Sequence, residues 1–139
     1  MGVELRKVTK DDWDYILRLR NSKYVQPYMY TKHKISKSEH YEYLKKQSRN
    51  PNFVNWIISM DSKNAGYVRV LDNDVSIMIE HKFHGKGIGT QALKLLEKEA
   101  KKSGIQKLVG RVMIDNEKSK QIFLNNDYKL LMYWFEKKI

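Results

Sequence analysis

Three strand-like segments separated by very little chain constrain this sequence more than any other feature. Phe53–Met60, Ala65–Leu71 and Val75–Glu80 are apolar segments joined only by Asp61-Ser62-Lys63-Asn64 and Asp72-Asn73-Asp74. A parallel pair needs a crossover of about a dozen residues or more, so these strands must be antiparallel hairpins. His84-Gly85-Lys86-Gly87-Ile88-Gly89 follows at once. Ile88, Ala92, Leu95, Leu96 and Ala100 then recur at helical spacing to about Ser103, with Gly104 as the cap. Glycines at alternate positions let backbone approach a ligand with no Cβ between. A helix N-terminus adds unpaired N–H donors and partial positive charge, and Thr90 adds a hydroxyl. Gly85 to Thr90 is therefore a cradle for a phosphorylated ligand.

The flanking chain completes an α/β pattern. Val3–Val8 alternates as a first strand. Thr9-Lys10-Asp11-Asp12 reads as a capping box before a helix to about Arg20, with Trp13, Ile16 and Leu17 inward. An aromatic loop spans Asn21 to Lys34. Ser36-Lys37-Ser38-Glu39 opens a second helix to about Gln47, which Asn50-Pro51-Asn52 stops. After the long helix, Lys107–Ile114 reads as a strand, Asn116–Asn126 as a short helix and Tyr128–Glu136 as a last strand. The expected order is β-α-α-β-β-β-α-β-α-β, a mixed, mostly antiparallel sheet flanked by helices, in one domain over residues 1–139.

Composition removes several classes of function. The absence of cysteine excludes disulfides, thiolate metal sites and a cysteine nucleophile, and no metal is expected. No apolar run approaches the roughly 20 residues of a membrane span, so no membrane partner is expected. Met1 to Arg6 lacks an apolar signal core, and Arg6 stands where a myristoylation motif needs Ser or Thr. A cytoplasmic location fits. The net charge of +11 suits an anionic ligand, and equally a solvated lysine-rich surface.

A Walker A loop needs Ser or Thr after Gly-Lys, and Gly87 follows Gly85-Lys86. A dinucleotide fingerprint, met literally by Gly87, Gly89 and Ala92, should close the first strand of parallel units rather than follow antiparallel hairpins. The turn instead resembles the acetyl-CoA site of the GNAT N-acetyltransferases, with His84 in the place of the family's Arg or Gln. A second segment resembles the same family through Asn116, Ser119, Phe123 and Asp127-Tyr128, and the order of elements is similar throughout.

The resemblance implies that backbone amides from Gly85 through Lys86, Gly87, Ile88 and Gly89 to Thr90 hold the pyrophosphate of acetyl-CoA. It implies that Met78 and Ile79 pair with the pantetheine amides through their backbone, that Asn116 hydrogen-bonds the same arm, and that Phe123 packs beside it. Lys86 and Lys120 are candidates for the adenosine phosphates.

Acetyl transfer needs a neutral amine, an oxyanion donor and a proton for the leaving thiolate. Glu80, at the end of the strand before the turn, is the candidate base, and a backbone N–H near Ile79 the oxyanion donor. Many relatives place a tyrosine acid where this chain has Phe123, so solvent or Tyr128 must supply the proton. A thiolate whose conjugate thiol has a pKa of about 8.5 takes it readily from water near neutral pH.

For the acceptor amine, Arg20-Asn21, Met29-Tyr30 and Ile35-Ser36 through Glu39-His40 resemble the UDP-amino-sugar N-acetyltransferases of pseudaminic acid biosynthesis. That resemblance implies a small-molecule amine, a UDP-amino sugar, with Arg20 on the diphosphate. Met29 and Tyr30 would lie on the uracil or a deoxysugar methyl, and His40 on the diphosphate or sugar. Ribosomal-protein N-terminal acetylation remains open, because those enzymes share the Arg-Asn pair. A basic RNA-binding module, with Tyr24, Tyr28, Tyr30, Tyr41 and Tyr43 among lysines, is the non-enzymatic alternative. No nucleic-acid motif supports it. A homodimer is admitted.

Overall fold

The computed structural model describes residues 2–139; Met1, part of the leader-segment reading, lies outside them. A five-stranded sheet runs β1 (Val3–Lys7), β2 (Phe53–Met60), β3 (Lys63–Leu71), β4 (Asp74–Ile79) and β5 (Val109–Gly110), in that spatial order. The first four strands are antiparallel, and β5 is parallel to β4. The two hairpin turns are tighter than the sequence implies. Asp61-Ser62 and Asp72-Asn73 all take positive φ, the conformation of a two-residue turn whose twist matches the flanking strands. Asp and Asn tolerate it because their short side chains bond locally.

Helices α1 (Trp13–Arg20), α2 (Lys37–Gln47), α3 (Ile88–Lys102) and α4 (Glu117–Asn125) complete the layers. Both expected N-terminal caps form, the first as a capping box on a short 3-10 turn (Lys10–Asp12) ahead of α1 and the second as a single bond to Ser36. Glu39 N–H donates to Ser36 Oγ over 3.1 Å, and Thr9 N–H donates to Asp12 Oδ2 over 2.8 Å. Asp12 also takes a two-pronged contact from Arg6, at 2.8 and 2.9 Å, which pins β1 to the start of α1.

Period-two alternation divides the core. Trp56, Ile58, Val68, Val70 and Val75 face α3 and α4, where Ile88, Ala92, Leu93, Leu96 and Phe123 meet them. Ile57, Tyr67 and Met78 face the other way, onto Ile16 and Leu19 of α1. On α1 it is Leu19 that is buried beside the expected Ile16, whereas Leu17 is only half-buried.

Two strand expectations change. The Lys107–Ile114 strand shrinks to two paired residues. Tyr128–Glu136 forms no strand at all, and residues 130–135 are exposed apolar chain. Alternation marks a segment fit for a strand but does not supply the neighbour that makes it one.

Candidate active site

The two-residue pairing of β4 with β5 opens the site. Only Asp74 and Val75 of β4 sit beside β5, so the edge of β4 from Ser76 to Ile79 has no strand neighbour on that side. Glu80 N–H donates to Ala65 O over 2.8 Å. Strand alternation then turns the backbone groups of Met78 and Ser76 toward β3, and those of Ile77 and Ile79 toward the open edge. Met78 is thus excluded from the backbone role expected for it, because its amide and carbonyl face Tyr67 and its side chain is core. The backbone groups that face the open edge beside those of Ile79 are those of Ile77. The sequence shows the strand but not the parity of its pairing, and one residue of register exchanges the two sets.

Beyond Ile79 the chain makes a 3-10 turn at His81–Phe83 and enters the glycine segment. His84 Nε2–H donates to Ile79 O over 3.0 Å, and Lys118 Nζ, in the first turn of α4, donates to His84 Nδ1 over 3.2 Å. Burial, with Lys118 and His81 nearby, holds this imidazole below its usual range. His84 therefore ties the turn to the strand end as a neutral ring.

The three glycines do two different things. Gly85 and Gly87 have φ of 78° and 73°, and a Cβ on either would meet nothing within 4 Å. They are there for left-handed backbone, with open space in front of them. Gly89 is a packing residue: a Cβ there would lie 2.5 Å from Ile122 Cδ1 of α4. Gly87 caps α3, and Gln91 N–H to Gly87 O is that helix's first bond, so the amides of Ile88, Gly89 and Thr90 lack intrahelical acceptors. Thr90 Oγ1 accepts from Asn125 over 3.3 Å, which turns the hydroxyl toward α4.

Asn116 caps α4 through its Oδ1, which accepts from Ser119 N–H over 3.3 Å. Phe123 is core, and a Cβ on Gly110 would lie 2.5 Å from its ring. It therefore packs on the backbone of β5 rather than lining an open arm-binding groove. Tyr128 meets Phe123 edge to face at 4.9 Å. Its hydroxyl is buried without a partner among the described residues, and burial pushes its pKa up to about 12. Burial thus makes this phenol a weaker proton donor than an ordinary tyrosine, which argues against Tyr128 as the acid.

Glu80 sits at the strand end with about a quarter of its side chain exposed (23%). Tyr15 of α1 donates to Glu80 Oε2 over 3.0 Å, and Lys82 lies 3.9 Å from Oε1. Next to it, His81 stacks on Tyr24 with ring centroids 3.6 Å apart. Sequence reading missed Tyr15, His81 and Lys118. Tyr15 precedes Ile16 on the inward face of α1, a signal that was present but reads as ordinary packing.

The acceptor residues divide. Asn21 closes the loop by exchanging hydrogen bonds with the Ile35 backbone at 2.8 and 2.9 Å. Arg20 lies half-buried above Tyr43, ring to guanidinium 5.9 Å, with Nε unbonded and no carboxylate partner among the described residues. Burial lowers its pKa from the usual guanidinium value. Met29 is half-buried, and Tyr30 is exposed with its hydroxyl donated to Glu136 over 2.8 Å. His40 is 1% exposed and gives Nε2–H to Trp13 O over 2.8 Å. It joins α2 to α1 and is sealed from any ligand, which removes its expected contact with substrate.

The family model for the acetyltransferase (GNAT) domain matches residues 3–129. The chain belongs to the GNAT acetyltransferases. As a member it is an acetyl-CoA-dependent acyltransferase. Among solved structures, a domain from Methanocaldococcus jannaschii is 25% identical, with TM-score 0.82 over 92% of this chain and 88% of that one. A spermidine N-acetyltransferase from Vibrio cholerae, in complex with CoA and spermine, is 19% identical with TM-score 0.78, covering 88% and 78%. An N-acetyltransferase from Staphylococcus aureus is 22% identical with TM-score 0.77, covering 93% and 84%. The GNAT frame fits the local geometry. A mostly antiparallel sheet opens between β4 and β5, and a glycine-entered helix starts beside the gap.

Proposed function

We propose that this GNAT enzyme acetylates the amino group of a nucleotide-linked amino sugar. Arg20 carries the reading: a half-buried guanidinium without a carboxylate partner is held ready for an anion, and its fork matches a diphosphate. Polycationic amines such as polyamines and aminoglycosides would meet this charge and a net +11 with repulsion. The half-buried Met29 offers a soft apolar surface for a base or deoxysugar. The loop closed by Asn21 and Ile35 sets the span available to that acceptor.

Acetyl-CoA supplies an activated acyl carbon. Amides from Gly85 to Thr90 receive its pyrophosphate, with Lys86 and Lys118 at the rim and Lys120 further along α4. The open edge at Ile77 offers backbone groups to the arm, while the Ile79 carbonyl already accepts from His84, and the Nδ2 of Asn116 remains free to donate beside its cap. Ile79 N–H, turned to that edge, serves as oxyanion donor. Glu80, oriented by Tyr15, takes the ammonium proton so that the amine can attack. As the nitrogen–carbon bond forms and the carbon–sulfur bond breaks, the nitrogen sheds its second proton to solvent, and solvent protonates the leaving thiolate.

Calorimetry with UDP alone tests the reading. The wild-type chain binds UDP, and Arg20→Ala weakens binding at least tenfold while leaving CoA affinity unchanged. No UDP binding, or binding indifferent to Arg20, contradicts it.

A further inference from the structure

The sheet face that carries α1 breaks its own pattern once. Ile57, Tyr67 and Met78 form one row across β2, β3 and β4, and they pack on Ile16 and Leu19. Two residues along each strand, the same face presents Asn55, Arg69 and Ser76, which are paired in register. Phe53 and Leu71 restore apolar side chains in the row after that, where Tyr43 of α2 meets Phe53 edge to face at 6.3 Å. A polar row between two apolar ones is a local break of the kind that gathers at functional sites. Asn55, Arg69 and Ser76 are each half-buried. So is Arg20, whose guanidinium lies within electrostatic reach of Tyr43, Tyr67 and Arg69.

The hydrogen bonds around this row leave two donors unused. Arg69 is matched, because its Nη1 donates to Asp74 O over 2.8 Å and to Asp74 Oδ2 over 3.1 Å. Arg20 is not: its Nε is buried without an acceptor among the described residues. The Tyr67 residue is 5% exposed, yet its hydroxyl reaches out of the apolar row to Asn55, whose Nδ2 donates to it over 3.1 Å. The phenol oxygen is the acceptor in that bond, so its own hydrogen is left for another partner. Burial pushes this phenol up to about 12, and it keeps that hydrogen at neutral pH.

We propose that Tyr67 and Arg20 form a two-donor clamp for the acceptor, the phenol donating to the same phosphate group that the guanidinium pairs with. Charge decides the class of ligand. Asp74 offsets Arg69, whereas Arg20 stands unmatched, so the row favours an anion over a second amine. Phosphate oxygens only accept, which suits a guanidinium and a phenol together. Ser76 and Ile77 are consecutive on β4, so a ligand lying on this row is next to the open backbone edge offered to the acetyl-CoA arm. The clamp rests on the nucleotide-sugar reading for the molecule that carries the phosphate, and on this row alone for the residues that meet it.

Calorimetry on the full chain saturated with CoA, which keeps phosphate ligands off the glycine turn, tests the clamp with UDP and with inorganic pyrophosphate. Tyr67→Phe keeps the ring and should weaken both by about tenfold, as expected for a hydrogen bond to a charged group. Its CoA affinity, titrated separately, stays unchanged and reports that it is folded. Arg20→Ala combined with Tyr67→Phe should lose less than the product of the two single losses, because both residues meet one anion. Binding that falls with Arg20→Ala but ignores Tyr67→Phe overturns the clamp and leaves the nucleotide reading standing. Pyrophosphate binding that needs both residues, with no binding of UDP, supports the clamp and overturns the nucleotide reading. A wild-type chain that binds neither ligand overturns both. Parallel loss of CoA and UDP affinity in Tyr67→Phe makes the hydroxyl structural and overturns the clamp.

Discussion

Tyr15 gives its hydroxyl hydrogen to Glu80 over 3.0 Å, linking the first helix to the carboxylate at the end of β4. The bond fixes where the proposed base stands relative to the open strand edge, and it spans 65 residues of sequence. Burial and the neighbouring carboxylate both push the phenol's pKa up, so Tyr15 stays protonated and remains a donor throughout the working pH range. Glu80→Gln is expected to lower kcat by about 10²–10⁴-fold, the usual worth of a positioned base. Acetyl-CoA affinity should hold. Tyr15→Phe should cost less and act through kcat, since it loosens the carboxylate without removing it. Steady-state kinetics of both variants separates a base from a bystander: equal, small losses would make Glu80 structural.

The glycine turn makes two opposite demands, and substitution separates them. Gly87→Ala forces a Cβ into left-handed backbone, a cost of roughly 1–2 kcal/mol with no neighbour to relieve it. Gly89→Ala meets Ile122 Cδ1 and should cost about 1–3 kcal/mol by overpacking. Ile122→Ala should restore much of the second loss and none of the first. Thermal melts of the four variants check this. Equal responses to Ile122→Ala would show that Gly89 does not carry the contact between α3 and α4.

Burial, only partly offset by the Trp13 carbonyl, holds His40 below the usual imidazole range. An unfolded histidine titrates near about 6.5, so below that pH the unfolded chain binds the proton first. Stability is therefore complete above about pH 6.5 and falls as pH drops toward the folded value. His84 has the same sign. His40→Gln keeps a donor for Trp13 and removes the titration, so its melting temperature should depend less on pH between roughly 7 and 5. An unchanged slope would contradict the assignment.

Tyr128→Phe should leave kcat within a factor of about two, because a buried phenol pushed up to about 12 is a weak donor. Removing an unpaired buried hydroxyl should keep or raise the melting temperature. A large kcat loss at constant stability would return Tyr128 to the chemistry.

The hairpins and the long helix were legible because short connectors and 3.6-residue spacing are local facts. Non-local pairing was not. A single residue of register turns the backbone of Met78 toward β3 and that of Ile77 toward the open edge, which apolar pattern alone leaves open. His40 follows a capping residue by four positions, where a histidine is as compatible with solvent as with burial. Only the packing of α2 on α1 decides between them. Gly89 illustrates the reverse case: the residue type was read correctly and its reason was not, since Ile122 lies 33 positions away. Tyr128–Glu136 has a strand's sequence but finds no strand neighbour among the described residues.

An acetyl-transfer assay against a mixed amine panel tests the central reading most directly. Acetyl-CoA would be offered with UDP-amino sugars, spermidine, an aminoglycoside and ribosomal proteins, and the acetylated products weighed by mass spectrometry. Acetylation of a UDP-amino sugar, at a kcat/KM reduced at least tenfold in Arg20→Ala, is the predicted result. Transfer only to polyamines, aminoglycosides or protein α-amines, unaffected by Arg20→Ala, would contradict it.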